Sequence, residues 1–559
     1  MADKINFFFK RPAFWLCFFV FLAGVLNFYL LSRDNIAPIY NAGICYSVSR
    51  TYYYLLSESP FLLAPAALLH NINFYPPFYM LAPLPFFFFG GLNFHLMAMV
   101  NLFYLGLLFF AVYRIGKMLY GVWVGLSCTV LLFFIPSILG FSRVTHMNIA
   151  LTSILAFNVY LLLRSEFFSS RKFSLLSGIT AGAGVLFSFE YWVFVSGPLL
   201  VCLAVMLFRK NKDISAFKSA GNFLLFLCGF LLVAAVFYLP SFFTFSSLNF
   251  KMAAPGIAIS GFDPRAFYSR LAEYTGFLRI HLLTPNLSLF LLAAVFLNRK
   301  LFKPAIAVIF FGWFLISFFL VALWPYAEPR FLLPLLPATV LISAALLAAP
   351  ASFFRKRPLK IKLPAIFILG VFWTALVAVF FAREHPLPEN SAQLAFWRHN
   401  YGMRYPFSPG LPSEELFSFL KKNGTADNKM IIIFDNSRDT APLILELIYG
   451  ELRNPGPKPE TETAMSLAVS AWHAGMTRGE IIGRIRDYYK KSGYVLYVSN
   501  SIAQETDARC EYESRYNDIL KGAFNSGKRK MREIWRYNDP EGFFTESLVL
   551  FRKQEGSDG

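Results

Sequence analysis

The residues that could do chemistry fall in four short clusters, each beside a long apolar stretch. Asp34 follows the first apolar stretch by two residues and is flanked by Arg33 and Asn35. A carboxylate beside apolar chain is costly unless it faces a cavity or a partner, and in such a place it can accept a proton. The alternative interpretation is a solvated acid at the end of a helix. Asp34 alone does not distinguish the two.

The second and third clusters bring an imidazole, a guanidinium and rigid backbone. One is the polar stretch Phe141-Ser-Arg143-Val-Thr-His146-Met-Asn148, and the other is Tyr75-Pro-Pro-Phe-Tyr79. Two successive prolines cannot continue a helix, so the second of these predicts a rigid start to the segment that follows it.

The fourth cluster is Tyr326-Ala-Glu328-Pro-Arg330-Phe-Leu-Leu-Pro-Leu-Leu-Pro337. Arg330 begins an apolar segment that two prolines should kink. A planar guanidinium in this position is suited to holding a phosphate. The alternative is an Arg whose charged head merely reaches the membrane interface.

These clusters must be positioned by membrane helices, because the 559-residue chain is 56% apolar and contains 66 Phe. That composition predicts a polytopic membrane protein and excludes a soluble enzyme. A membrane span needs about 20 apolar residues. We predict spans at 13–32, 94–114, 119–141, 146–163, 173–189, 191–208, 219–243, 284–298, 304–324, 331–350 and 364–382.

The charge pattern of the loops predicts how these spans are oriented. Cations concentrate in alternate loops: Lys4, Lys10, Arg11, Arg114, Lys117, Arg164, Arg171, Lys172, Arg209, Lys210, Lys212, Lys218, Arg299, Lys300, Lys303, Arg355, Lys356, Arg357, Lys360 and Lys362. Most acids lie in the other loops. Because Lys and Arg accumulate on the cytoplasmic side, we expect a cytoplasmic N-terminus and an extracytoplasmic chain after 382, in a bacterial inner (plasma) membrane.

The net charge of +19 lies mainly in those cytoplasmic loops. There it orients helices and meets anionic lipid headgroups, so nucleic acid is not an expected partner.

The six cysteines are scattered, and only Cys45 and Cys510 are predicted to lie on the extracytoplasmic side. Their spacing indicates neither a disulfide framework nor a metal site.

Two outer loops are long enough to contribute to a site, at 33–93 and 246–281. The first should contain an amphipathic helix near 39–56 and an interfacial segment, Pro76–Gly90, which is too short and too rich in proline to cross. The second has mixed charge. Together with the spans, these loops form a predicted transmembrane domain at 1–382.

The chain from 383 to 559 predicts a small extracytoplasmic α/β domain. A proline-rich linker begins it, and three core strands are expected at Lys429–Asp435, Tyr494–Val498 and Ser547–Phe551. The intervening stretches have helical patterns. The fold class is therefore a polytopic α-helical membrane protein of about 11 helices with a C-terminal α/β domain.

Taken in order, the clusters resemble those of the GT-C superfamily of membrane glycosyltransferases. The Asp after the first helix, the Pro-Pro-aromatic-Tyr motif, the span ending Tyr113-Arg-Ile-Gly-Lys-Met-Leu-Tyr-Gly121, the Phe-Ser-Arg143 turn and the Arg330 segment carry the resemblance. The nearest branch is that of the bacterial protein O-mannosyltransferases and lipid A aminoarabinose transferases. The resemblance covers residues 13 to 350.

The resemblance implies roles for several residues. Asp34 matches the acid that serves as general base or metal-site acid, and Arg330 matches the Arg that reaches the phosphate of a polyprenyl donor. Arg143 matches the Arg of the Ser-Arg turn, with Arg279 as a further helper at the phosphate. The remaining site candidates are Tyr75, Tyr79, His146, Asn148, Glu190 and Glu328.

Several positions depart from the family pattern. Asn148 stands where an acid is usual, Glu190 where Lys is common and Tyr75 where His precedes Pro-Pro. Hard divalent cations need carboxylate and carbonyl oxygens, so these changes argue against a tightly held metal, and no cofactor is certain.

The sequence therefore predicts inverting transfer of a hexose or pentose from a polyprenyl-phosphate-linked donor to an extracytoplasmic lipid, glycan or protein. Two alternatives remain open. One is a degenerate, non-catalytic member that binds lipid or has a structural role. The other is a transporter, which should carry charged or polar residues near mid-span; here the acids lie at the outer rim.

Overall fold

The computed structural model describes residues 12–32, 40–58, 76–188, 190–208, 216–245, 264–296, 303–323 and 327–346, and five strands between 430 and 553. The helices are α1 (Pro12–Ser32), α2 (Tyr40–Glu58), α3 (Phe78–Leu81), α4 (Leu84–Gly90), α5 (Phe94–Tyr120), α6 (Val122–Phe133), α7 (Pro136–Phe141), α8 (Asn148–Arg164), α9 (Arg171–Val185), α10 (Tyr191–Phe208), α11 (Ala216–Phe245), α12 (Pro264–Phe296), α13 (Pro304–Ala307), α14 (Ser317–Ala322) and α15 (Leu336–Ser343). A π-helix spans Val308–Ile316, and a 3-10 helix spans Pro329–Leu335.

The described helices include five that are long and apolar enough to cross a membrane. They are Pro12–Leu31, His95–Tyr120, Tyr191–Phe208, Phe217–Leu239 and Pro304–Ala322. Each corresponds to a predicted span, so those predictions are confirmed as helices. The predicted span 364–382 lies outside the described residues.

Helix α8 is the centre of the helical unit. Nearly all of its side chains are buried, and it packs against α5, α9, α10 and the 3-10 helix. Its buried Asn158 donates from Nδ2 to the Tyr191 hydroxyl at 2.7 Å and accepts from the Ser177 hydroxyl. Buried polar groups need such partners, so this network fixes α8 against α9 and α10.

Helices α9 and α11 pack with their backbones in close approach. A Cβ atom on Gly178 would lie 2.0 Å from the carbonyl oxygen of Phe226, and one on Gly182 would lie 2.7 Å from that of Phe230. Small residues four apart form a flat face on which a second helix can rest. The spacing of these two glycines therefore sets the α9–α11 distance.

Helix α12 runs through the second half of the predicted outer loop at 246–281. From Pro264 the chain is helical without interruption to Phe296, so only 246–263 of that loop is outside the described helix. Tyr274, Leu278 and Leu282 are buried at intervals of four residues, which is one face of a helix. Arg265, Glu273 and Arg279 are exposed, whereas Arg270 is half-buried and donates from Nε to the Ala322 carbonyl at 3.0 Å. At 1.5 Å per residue the helix is about 50 Å long, well beyond a hydrocarbon core of about 30 Å.

Two other predicted spans are interrupted. The stretch 119–141 divides into α6 and α7 at Phe134 and Ile135, where Pro136 begins the second helix. The stretch 331–350 begins as a 3-10 helix and becomes α-helical only at Leu336. Prolines lack the N–H that an α-helical ladder requires, so both interruptions follow from the sequence.

The segment Pro76–Gly90 forms two short helices, α3 and α4, that are broken at Pro83. As its prolines predicted, it does not form a full-length spanning helix.

The predicted amphipathic helix near 39–56 is confirmed as α2. Tyr53 of α2 contacts Phe88 of α4 with ring centroids 5.0 Å apart, so the two elements pack together. Their depth in the membrane stays a prediction.

The C-terminal strands form one mixed sheet, described as a unit separate from the helices. The strands are β1 (Met430–Phe434), β2 (Thr461–Thr463), β3 (Tyr494–Asn500), β4 (Met531–Asn538) and β5 (Glu546–Lys553), in the order β2-β1-β3-β5-β4. The three predicted strands are β1, β3 and β5. Pairs β1–β2 and β1–β3 are parallel and the other two are antiparallel. Parallel pairs require crossover connections, and the connecting residues lie outside the described residues.

Candidate active site

Arg330 is the buried charge of the helical unit. Its side chain is only 4% exposed, and it projects from the second position of the 3-10 helix. Pro329 precedes it, and Pro334 follows within the same helix. The Pro334 carbonyl accepts a hydrogen bond from the Trp313 indole at 2.8 Å, which ties this segment to the π-helix. The backbone that carries Arg330 is thus fixed by side-chain contacts rather than by an α-helical ladder.

Glu328 is the counter-ion of Arg330. The guanidinium donates through Nε and Nη2 to one carboxylate oxygen, Oε2. Glu328 is more accessible, with 20% of its side chain exposed. A buried guanidinium without a partner would be very costly, so this pair keeps Arg330 charged inside the protein.

His146 holds the other side of the same guanidinium. Nη1 of Arg330 lies 2.9 Å from Nε2 of His146, and because a guanidinium can only donate, the imidazole nitrogen accepts. Burial, and then the neighbouring Arg330 charge, hold the pKa of His146 well below its usual value near 6.5, while a hydrogen bond with the Asn148 side chain acts in the opposite direction. His146 is therefore neutral at physiological pH.

The turn that carries His146 is pinned by two buried asparagines. Asn101 of α5 donates from Nδ2 to the Val144 carbonyl at 2.7 Å and accepts from the Tyr79 hydroxyl at 3.2 Å. Asn27 of α1 donates to the Ser142 hydroxyl at 2.9 Å. The predicted candidates Tyr79 and His146 are thus joined through Asn101, which the sequence did not single out.

His281 is a second residue that sequence reasoning missed as part of the site. It is fully buried on α12, with Nε2 2.6 Å from the Pro329 carbonyl and Nδ1 2.7 Å from the Ser137 hydroxyl. Since a carbonyl only accepts, Nε2 carries a proton and donates. His281 fastens the residue before Arg330 to α12 and α7. In the sequence, His281 follows Tyr274 by seven residues and Leu278 by three, which places it on the same face of a helix as those apolar residues.

Cys45, which the sequence places on the extracytoplasmic side, also lies close to the site. It is buried on α2, where burial raises the pKa of its thiol to about 12 and the Arg330 charge partly opposes that rise. The thiol therefore stays protonated. The Cys45 side chain is turned into the protein toward Arg330, and the side of the membrane on which it lies stays a prediction.

The other predicted site residues are placed as follows. Arg143 is half-buried in the same turn as His146, whereas Arg279 is exposed on α12. Glu190 lines a small cleft with Val193, Phe194, Val321 and Phe331, and Phe331 is the residue after Arg330. Asp34 and Tyr75 lie outside the described residues. The structure thus gathers Tyr79, Arg143, His146, Asn148, Arg330 and Glu328 in one region.

The donor set of this region suits an anion better than a divalent metal. Asn148 is buried, and its Nδ2 donor has no hydrogen-bond acceptor among the described residues. The carboxylate of Glu328 is already engaged by Arg330. No group of three or more His, Cys, Asp or Glu side chains placed to hold a metal occurs in the described part of the chain. Amide and guanidinium donors bind phosphate oxygens, not hard cations.

Comparison with known proteins supports the fold. No family model and no curated protein sequence matches the chain. Among solved structures, ArnT from Cupriavidus metallidurans bound to undecaprenyl phosphate matches with a TM-score of 0.52 and 13% identity, over 96% of this chain and 98% of that chain. Its apo form matches with a TM-score of 0.53 and 14% identity, over 96% and 97%.

The chain shares the fold of these ArnT structures. This likeness extends over nearly the whole length of both chains, including the membrane helices and the C-terminal region. The described apolar helices and this fold are those of an integral membrane protein. At this level of identity the match concerns the fold alone, so the activity has to be argued from the site.

Proposed function

We propose that this GT-C protein transfers a sugar from a polyprenyl-phosphate donor to an acceptor outside the cytoplasm. The observation that carries the proposal is the buried Arg330 guanidinium, held between Glu328 and His146 at the start of the 3-10 helix. A solved protein of the same fold is bound to undecaprenyl phosphate. Arg330 is suited to such a phosphate because its planar fork can donate two parallel hydrogen bonds.

In the proposed reaction, Asp34 takes the proton of the acceptor hydroxyl. The hydroxyl oxygen forms a bond to the anomeric carbon as the bond from that carbon to the phosphate oxygen breaks, which inverts the configuration. The phosphate leaves as polyprenyl phosphate, and Arg330 stabilises the charge that develops on it. Arg143 is a further cation near this position. The acceptor is a lipid, a glycan or a protein, and the sugar a hexose or a pentose.

The proposal includes an orientation. The positive loops place the N-terminus in the cytoplasm, and the acids of the site, with the sheet-containing C-terminal domain, outside a bacterial inner membrane. The prenyl chain would lie along the apolar helices, which accounts for a site at the membrane interface.

A second candidate function is that of a degenerate member that binds lipid without catalysis, because Asn148 stands in place of an acid.

The proposal is tested by the affinity of purified protein for undecaprenyl phosphate. A Lys side chain is a point charge that cannot reproduce the two parallel hydrogen bonds of a guanidinium. We expect Arg330→Lys to weaken binding about tenfold and Arg330→Ala about a hundredfold, as for lost hydrogen bonds between charged groups. Arg171→Ala, which removes the same charge at the exposed start of α9, is the matched control and should bind as wild type.

If Arg330→Lys and Arg330→Ala bind undecaprenyl phosphate like the wild-type protein, Arg330 only anchors the helix and the proposed donor site is wrong.

Asp34→Asn separates donor binding from the transfer reaction. It should bind the lipid normally and, once an acceptor is known, lose about 10²- to 10⁴-fold in transfer rate, as is typical for a missing base.

A further inference from the structure

The contact between Glu328 and Arg330 has a geometry that matters for ligand binding. Glu328 engages Nε and Nη2, which form the edge of the guanidinium that phosphates and carboxylates use for paired hydrogen bonds. Nη1 is directed at His146 instead. The edge of Arg330 best suited to a phosphate is therefore covered by a carboxylate of the same chain.

The charges of the site decide what happens when an anion arrives. Arg330 and Glu328 together are neutral, and the adjacent His146 is neutral as well. An anion that approaches the same edge of the guanidinium would meet the Glu328 carboxylate, and two like charges in a partly buried place repel each other. An anion with a single negative charge, such as the phosphodiester of a prenyl-linked sugar, can take the place of the Glu328 carboxylate without changing the charge of the site.

The two partners differ in their ability to move. Arg330 is 4% exposed and is held through the Pro329 backbone by His281, whereas 20% of the Glu328 side chain is exposed. A rotation about the Glu328 side-chain bonds can return its carboxylate to water, where ionised groups are well solvated. Arg330 has no comparable route.

We propose that Glu328 is an internal stand-in for the donor phosphate, which the phosphate of a prenyl lipid displaces from Arg330. This inference rests on the proposed function, because it assumes that Arg330 is the phosphate ligand. Glu328 lowers the affinity for every anion and so selects ligands with a large apolar group, whose burial compensates for the exchange. The apparent dissociation constant is the intrinsic one divided by the fraction of protein in which Arg330 is accessible.

The test is the affinity of the full-length protein for undecaprenyl phosphate, with the ligand-induced rise in Tm as a second readout. Glu328→Gln removes the charge and keeps the shape. We expect it to bind the lipid about tenfold more tightly, with a lower Tm in the absence of lipid and a larger rise on binding. Glu273→Gln removes an equal charge from an exposed site on α12 and should match the wild-type protein.

Unchanged or weaker binding by Glu328→Gln would overturn the inference, because Glu328 would then be a bystander or would orient Arg330. If Glu328→Gln does not fold, Glu328→Asp replaces it; the shorter side chain should raise affinity by a smaller factor, and no gain would again be contrary. Arg330→Ala in the same assay separates the two proposals. Loss of binding there without a gain in the Glu328 variants leaves the donor site intact and removes only the displacement.

Discussion

At the scale of single residues, Arg330 depends on groups that are distant in sequence. The Glu328 contact is local, but His146 precedes Arg330 by 184 positions and His281 precedes Pro329 by 48. The Phe331 ring lies 5.3 Å from the guanidinium carbon and shields it further. A cation in such a setting is stable only while its partners stay in place.

His281 is expected to act on the donor through the position of Arg330. His281→Leu leaves the Pro329 carbonyl and the Ser137 hydroxyl without their partner, at a cost of about 1–3 kcal/mol for each buried group. We predict a lower Tm and a weaker affinity for undecaprenyl phosphate, measured on the same purified sample.

His281→Gln supplies the comparison, since its amide can still donate to the Pro329 carbonyl. It should recover most of the affinity for the lipid and only part of the Tm. A His281→Leu protein that loses stability but binds the lipid normally would show that His281 has a structural role alone.

At this scale the sequence indicated which residues to consider, but not which partners they contact. Arg330, His146, Asn148 and Glu328 were all candidates from residue type and neighbouring motif, and the structure brings them together. His281 and Asn101 were not, because their significance arises only when α12 and α5 pack beside the site. Single-residue patterns carry no information on such long-range partners.

At the scale of elements, the length of the apolar stretches predicted helices well, whereas the charged stretches gave no indication of helix α12 before its apolar part. The span at 191–208 coincides with α10, and that at 13–32 differs from α1 by one residue. The helical structure of the outer loop predicted at 246–281 was not anticipated, although Tyr274 and Leu278 are buried on one face of α12. The 3-10 geometry around Arg330 follows from prolines, but its extent depends on contacts such as Trp313 with Pro334.

The glycine contact between α9 and α11 makes a direct prediction. In Gly178→Ala the new methyl group would overlap the Phe226 carbonyl, so the helices must separate, at a cost of about 1–3 kcal/mol for an overpacked contact. The expected result is a clear fall in Tm in detergent or in lipid nanodiscs.

Gly221 on α11 is the matched control, because a Cβ there would meet nothing within 4 Å. Gly221→Ala should leave Tm unchanged or raise it, since alanine favours helix by about 0.5–1 kcal/mol over glycine. Equal Tm values for the two variants would mean that the close approach of α9 and α11 is not required for stability.

At the scale of the whole molecule, the charge pattern predicts the topology. Single cysteines at Lys212 and Lys360 should be protected from an impermeant thiol reagent in intact cells, whereas one at Asp263 and the natural Cys510 should react. The exposed cysteines of the described helices, Cys17 and Cys228, are replaced beforehand to lower the background. Protection of Cys510 together with labelling at Lys212 would invert the orientation and place the site in the cytoplasm.

The central claim is that the buried Arg330 region receives the phosphate of a prenyl lipid. The most direct measurement is an experimental structure of the full-length protein in nanodiscs with undecaprenyl phosphate. The account predicts phosphate density within hydrogen-bonding distance of the Arg330 guanidinium, a prenyl chain along the apolar helices and Glu328 turned away. Lipid phosphate density elsewhere, with the Arg330–Glu328 pair still closed, would contradict it.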